Sequence, residues 1–249
     1  MSDTLLSHLE AGVLTLTFNR PEKKNAFTAQ MYAEAAQALT EADTNDAVRV
    51  VVLAGAGGTF TAGNDLKDFL EKPPTGKDSP VFRFLHTLAH FSRPLIARVE
   101  GVAVGIGTTL LLHCDYVLAS ERAVFSMPFV NLGLSPEGAS SVLLPRLAGM
   151  ALASELLLFG EPFDAATALR AGLINRVVPD AELDALVRAR AAALAARPAE
   201  SVRLTKKLLR DPLRAAVDEA FTREGDVFIQ RLGSTEAREA FNAFLSKKK

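Results

Sequence analysis

Leu95-Ile96-Ala97-Arg98-Val99-Glu100-Gly101-Val102-Ala103-Val104-Gly105-Ile106-Gly107 is the stretch that decides the fold. Pro94 ends the unit before it, and Leu95 to Val99 read as a buried strand. The strand runs into Gly101, Gly105 and Gly107, and an apolar helix is predicted from Thr108 to His113. The same order occurs upstream. Arg49 to Ala54 is dominated by β-branched residues, the mark of a strand covered on both faces. Gly55, Gly57 and Gly58 follow, then Phe60 to Leu66. Asp115 to Ala119 supplies a third strand. Strands alternating with helices predict an α/β fold of crossover units and stacked mixed sheets.

Outward from this centre, Leu5 to Glu10 and Val13 to Phe18 flank Ala11-Gly12 and predict a hairpin. Thr28 is placed to cap a helix running to about Asp43. A polar, proline-rich loop, Glu71 to Pro80, precedes a helix expected over Val81 to Phe91. From about Ala139 the pattern turns helical, with amphipathic segments over Asp180 to Ala196, Ser201 to Leu209, Leu213 to Leu232 and Thr235 to Leu245. No internal repeat interrupts it.

Composition bounds the function. The 249 residues are 49% hydrophobic, enough for a large core. A formal charge of -1 gives no reason to expect nucleic acid or an anionic membrane as partner. The lone Cys114 cannot form an intrachain disulfide or a thiolate metal cluster, and its apolar surroundings mark it as a small buried filler. His86 and His90 share a helical face at i, i+4 but have no acidic third ligand at a suitable offset. They read as surface or packing residues, so no metal is expected. Met1 to Glu10 does not resemble a signal peptide, and no uninterrupted apolar run reaches the ~18 residues of a spanning helix. The expectation is a cytoplasmic protein.

Two features carry chemistry. Gly63-Asn64-Asp65 and Gly105-Ile106-Gly107 each follow a buried strand. Such glycines either serve tight turns alone or let the backbone present N–H groups outward. Two N–H groups converging from separate turns would form an oxyanion hole. Glu137, between Pro136 and Gly138 and flanked by Leu132, Leu134 and Val142 to Leu144, is either a helix cap or a desolvated base.

Along nearly its whole length the chain resembles the crotonase (enoyl-CoA hydratase/isomerase) superfamily. The resemblance rests on Phe18-Asn19-Arg20-Pro21-Glu22-Lys23-Lys24-Asn25-Ala26, on Phe60-Thr61-Ala62-Gly63-Asn64-Asp65-Leu66 and on Pro94 to Gly107, in that order. It implies a spiral of ββα units over residues 1–195 and a helical trimerisation region over residues 196–249. A homotrimer or hexamer follows. It also implies that the backbone N–H groups of Asn64 and Ile106 form the oxyanion hole, although the family often has glycine at the latter position. Lys24, Ala62, Gly63, Asp65, Leu66, Phe244 and Lys247 would contact the CoA part of an acyl-CoA substrate. No separate cofactor is implied.

Hydratases of this family use two glutamates, at positions that here read Thr109 and Phe129. Phe129 to Gly138 instead resembles the Δ3,Δ2-enoyl-CoA isomerase branch, in which the glutamate between Pro and Gly is the single base. Glu137 then carries the proton shift that moves a 3-enoyl-CoA double bond into conjugation. Other crotonase-type reactions and a non-catalytic CoA-binding scaffold are the rival readings.

Overall fold

Val50 to Gly55 is buried at every position, and its side chains divide between two cores. Val51 and Leu53 face the large cluster that fills most of the protein. Val50 and Val52 face a smaller one with Ile96, Leu118, Leu183 and Val187. A strand covered on both faces must lie inside a sheet with layers on either side. This computed structural model describes residues 2–76 and 78–246, and in it that strand is third of six.

The strands are β1 (Leu5–Glu10), β2 (Val13–Phe18), β3 (Val50–Gly55), β4 (Leu95–Val99), β5 (Val102–Val104), β6 (Tyr116–Ser120), β7 (Val124–Ser126), β8 (Phe163–Asp164) and β9 (Arg176–Val178). The larger sheet has the order β1-β2-β3-β4-β6-β9, and the smaller one β5-β7-β8. The expected hairpin pairs β1 with β2 antiparallel, and β2, β3, β4, β6 and β9 then pair in parallel. In the smaller sheet β5 and β7 are parallel and β7 and β8 antiparallel. This is the α/β arrangement of two mixed sheets expected from the sequence.

The helices are α1 (Ala29–Thr44), α2 (Leu66–Glu71), α3 (Pro80–His90), α4 (Ile106–Thr109), α5 (Ser140–Phe159), α6 (Ala165–Arg170), α7 (Asp180–Ala195), α8 (Ala199–Arg210), α9 (Arg214–Leu232) and α10 (Thr235–Ser246). Thr28 caps α1, its side chain accepting from the Met31 N–H at 3.3 Å. Helix α7 supplies Leu183, Val187 and Ala191 to the smaller core, while Val217, Ala220, Phe228, Ala237 and Phe241 of α9 and α10 join the larger one.

Three details differ from the sequence reading. The helix expected from Thr108 begins two residues earlier, because Gly105 at φ 56° already turns the chain into it. It tightens to a 3-10 turn over Leu110–His113. The stretch after Ala139 is not wholly helical: β8 and β9 are too short for any periodicity to show, yet β9 closes one edge of the larger sheet. Helix α5 is long and apolar enough to cross a bilayer. Pro145 lies inside it, and Gly149 at φ 76° and ψ 159° breaks it into two helical pieces.

Candidate active site

The two glycine turns are pressed against each other. A Cβ on Gly63 would lie 2.5 Å from the Val104 carbonyl oxygen, and one on Gly107 2.6 Å from Thr61 Cγ2. Only hydrogen fits at either place. The contact is locked by backbone bonds, with Thr61 N–H donating to Val102 O (3.0 Å) and Val104 N–H to Thr61 O (3.1 Å). The next outward N–H groups are those of Asn64 and Ile106. Among the described residues neither has an acceptor. Ile106 is the first residue of α4, where an N–H has no intrahelical partner. Both residues line one cleft of ≈ 650 Å³. Two unspent donors converging on one cleft can stabilise an oxyanion.

Glu137 is joined to α4. The Thr109 hydroxyl, three residues along that helix, donates to Glu137 Oε1 at 2.5 Å. Three residues of helix advance only about 4.5 Å, so the carboxyl is tied to the same short helix that presents the Ile106 N–H. The side chain is buried, and among the described residues Oε2 has no hydrogen-bond partner. Burial pushes its pKa up to about 8; the Thr109 hydrogen bond opposes the shift and the charge of Glu224 adds to it. A carboxyl with a free oxygen and a pKa near operating pH suits general-base work. Glu137 does not itself line the ≈ 650 Å³ cleft, to which its segment contributes Phe129, Leu132 and Leu134.

The turn bearing Glu137 is held from three sides. Gly138 and Ala139 are both left-handed, at φ 74° and 56°. Buried Glu224, from α9, accepts from Ala139 N–H (2.7 Å), Ser141 N–H (2.9 Å) and the Ser141 hydroxyl (2.5 Å). Those bonds cap the start of α5 and commit the second buried acid to structure. His113 Nε2–H donates to the Gly138 carbonyl at 2.8 Å. Burial lowers the His113 pKa to about 4, so the ring stays neutral and keeps this bond across the neutral range.

Of the residues expected to contact CoA, Lys24, Ala62, Gly63, Leu66 and Phe244 line the cleft. Asp65 does not. Its carboxylate caps α2, accepting from Lys67 and Asp68 N–H at 3.2 and 3.3 Å, and pairs with Arg20 at 3.1 Å. Its position in the motif is thus explained by folding, because the oxyanion turn leads straight into a helix that needs a cap. Lys247 lies outside the described residues. Thr109 and Phe129 are both buried, the first spent on Glu137 and the second lining the cleft. Cys114 is the buried filler expected, and burial pushes its thiol up to about 12.

Sequence reasoning missed Tyr32, His113 and Glu224. The Tyr32 hydroxyl donates to Asn64 Oδ1 at 2.5 Å, fixing the side chain of the first oxyanion residue. Burial raises its pKa well above the ordinary phenol value, and Glu137 adds to the shift. Tyr32 also lines a neighbouring cavity of ≈ 590 Å³ that shares Phe69 with the cleft. Tyr32 and Glu224 reach the site from distant helices and His113 from the turn that continues α4, and no local motif marks that reach.

Stacked mixed sheets, a double glycine turn with two free N–H groups and a buried carboxyl beside it define a protein built to handle a carbonyl whose oxygen gains charge. The enoyl-CoA hydratase/isomerase family model matches residues 8–249, and the chain belongs to that family. Its fold is the crotonase fold. The solved structure of Pseudomonas aeruginosa OdaA is 46% identical, with a TM-score of 0.95 over 98% of this chain and 99% of that one. The Escherichia coli 1,2-epoxyphenylacetyl-CoA isomerase is 39% identical over all of this chain and 97% of its own length. Human enoyl-CoA delta isomerase 2 is 39% identical over 99% of this chain, which spans 64% of that longer protein.

Proposed function

We propose that this protein is an enoyl-CoA isomerase that moves the double bond of a 3-enoyl-CoA to the 2-position, within fatty-acid oxidation. The observation that carries the reading is that, among the described residues at the site, one carboxyl is available. Glu137 is buried with Oε2 free, while Glu224 is spent on the α5 cap. Hydration needs a second acid–base group to place water, and Thr109 and Phe129 cannot serve near neutral pH. A 1,3-proton shift needs only one. The delta-isomerase name of the human relative supports the same choice.

In this mechanism the CoA moiety lies along Lys24, Ala62 and Leu66, near Phe244. The thioester oxygen accepts hydrogen bonds from Asn64 N–H and Ile106 N–H. Ionised Glu137 removes a proton from C2, and the electron pair moves through the C3–C4 double bond system as a dienolate with its charge on the held oxygen. Protonated Glu137 then delivers the same proton to C4 as the double bond forms between C2 and C3. Proton and carboxylate are both restored, so no redox or metal cofactor enters the balance. The cavity bounded by Tyr32, Phe69 and Val81 is the chamber proposed for the acyl chain.

We also propose a cytoplasmic trimer or hexamer. Exposed Leu204, Leu208 and Leu209 on α8 and Met150, Leu158 and Phe159 on α5 support assembly. Light scattering of the purified protein tests it, and a monomer at micromolar concentration rejects it.

The deciding experiment supplies crotonyl-CoA and a 3-enoyl-CoA in parallel and identifies the products by mass and absorbance. Conversion of the 3-enoyl-CoA to its 2-enoyl isomer without mass gain is expected. Faster addition of water to crotonyl-CoA would reject isomerisation in favour of hydration.

A further inference from the structure

Helix α3 carries His86 and His90 on one face, and the acidic partner missing from that helix is supplied in space by Asp218 of α9. One candidate ligand atom from each residue lies within 4.8 Å of the other two. The His90 ring makes two contacts that fix its roles. Nδ1 is 2.9 Å from the His86 carbonyl oxygen, which can only accept, so Nδ1 carries the hydrogen. Nε2 is 3.1 Å from Asp218 Oδ1. In the neutral ring that nitrogen presents a lone pair to a carboxylate oxygen, and two lone pairs at such a distance require a cation between or beside them. A ring N–H given to a backbone carbonyl is also the usual orienting contact of a metal-bound histidine.

A proton on His90 or a bound metal ion meets that need, and zinc binding tells the two apart. His86 stacks on His90 with centroids 4.0 Å apart and planes 16° apart. His86 and Asp218 line a cavity of ≈ 750 Å³, with room for a water or other small ligand in a fourth position. Tetrahedral zinc holds its ligand atoms about 3.4 Å apart, so binding an ion draws the three donors together and turns the two stacked rings toward one point.

We propose that His86, His90 and Asp218 form a binding site for a divalent transition-metal ion of the zinc type. Two imidazoles and one carboxylate with an open position match that ion's preference. The ion would tie α3 to α9, the two helices that flank the turn bearing Glu137. Leu85 of α3 approaches Gly138, at 3.7 Å from where its Cβ would stand, and Glu224 of α9 holds the backbone of Ala139 and Ser141. The site is distinct from the proposed proton shift and serves as a staple across that turn.

The test uses the full-length chain stripped with a chelator and dialysed against micromolar zinc chloride. Zinc is measured by elemental analysis and the melting temperature is recorded with and without the metal. One equivalent per chain and a higher melting temperature are expected. His86→Ala and Asp218→Asn, both at solvent-accessible side chains, should each weaken zinc binding at least tenfold and remove the thermal shift. His8→Asn, altering a surface histidine paired with Glu10, should change neither. Cobalt(II) substitution should give the intense visible bands of a four-coordinate nitrogen and oxygen site. Failure of the wild type to hold an equivalent would overturn the proposal, as would His86→Ala and Asp218→Asn binding zinc like the wild type.

Discussion

Replacing Glu137 by Gln removes a charge that the folded protein holds at a disadvantage, and the cost can be worked out. The carboxyl has an ordinary value of 4.5 and is pushed up to about 8 by burial. Between those pH values the folded protein keeps the proton and the unfolded chain has lost it. Stability is therefore lost as pH rises through the window and levels off above about 8. A gap of this size corresponds to roughly 5 kcal/mol in full, of which about 2–3 kcal/mol falls between pH 6 and pH 9. Glu137→Gln lacks that term. Groups that do not feel the Glu137 charge titrate alike in both proteins and cancel in the difference, and the buried amide adds an offset that does not depend on pH. Urea unfolding followed by circular dichroism, at one protein concentration and several pH values, measures the comparison. The variant should gain about 2–3 kcal/mol on the wild type from pH 6 to pH 9. Parallel stability curves would refute the reasoning, because they would mean that the folded carboxyl titrates as an exposed one does.

The same residue governs rate. Loss of a positioned base costs ~10²–10⁴-fold, so Glu137→Gln should lose isomerase turnover by that factor while retaining acyl-CoA affinity in calorimetry. The kcat/KM of the wild type should rise with pH to a plateau above about 8 as Glu137 ionises. Thr109→Val removes the hydrogen bond that favours the carboxylate and should move that rise to higher pH, whereas Glu224→Gln removes a repelling charge and should move it lower. Glu224→Gln should also melt earlier, since one amide oxygen replaces two carboxylate oxygens that accept from Ala139 and Ser141. Gly63→Ala places a methyl group 2.5 Å from the Val104 carbonyl at φ 81° and should separate the two oxyanion turns. Its turnover should fall more than its substrate affinity, measured by steady-state kinetics beside direct binding.

The β-branched run at β3 and the glycines after β3 and β4 were readable because their signals are local. A strand buried on both faces has no polar positions to alternate, and a turn pressed on another backbone has no room for a side chain. Glu137 stood out for the same reason, a charged residue in an apolar stretch between Pro and Gly. The helices after Ala139 were legible from periodicity, although β8 and β9 were too short to have one.

Other features depend on which distant surfaces meet. Asp65 sits in the oxyanion motif, but its carboxylate is spent on α2 and Arg20, so adjacency in sequence did not mean a place in the cleft. Tyr32 and Glu224 reach Asn64 and the Glu137 turn from helices far apart in the chain, and Asp218 joins His86 and His90 in the same way. Which backbone turns could donate and which carboxyl was exceptional follow from local sequence, because conformational freedom and hydrophobic context are properties of a few neighbouring residues. The tertiary structure alone decided that the carboxyl is desolvated with one oxygen unspent, because burial and hydrogen-bond saturation depend on everything packed around it.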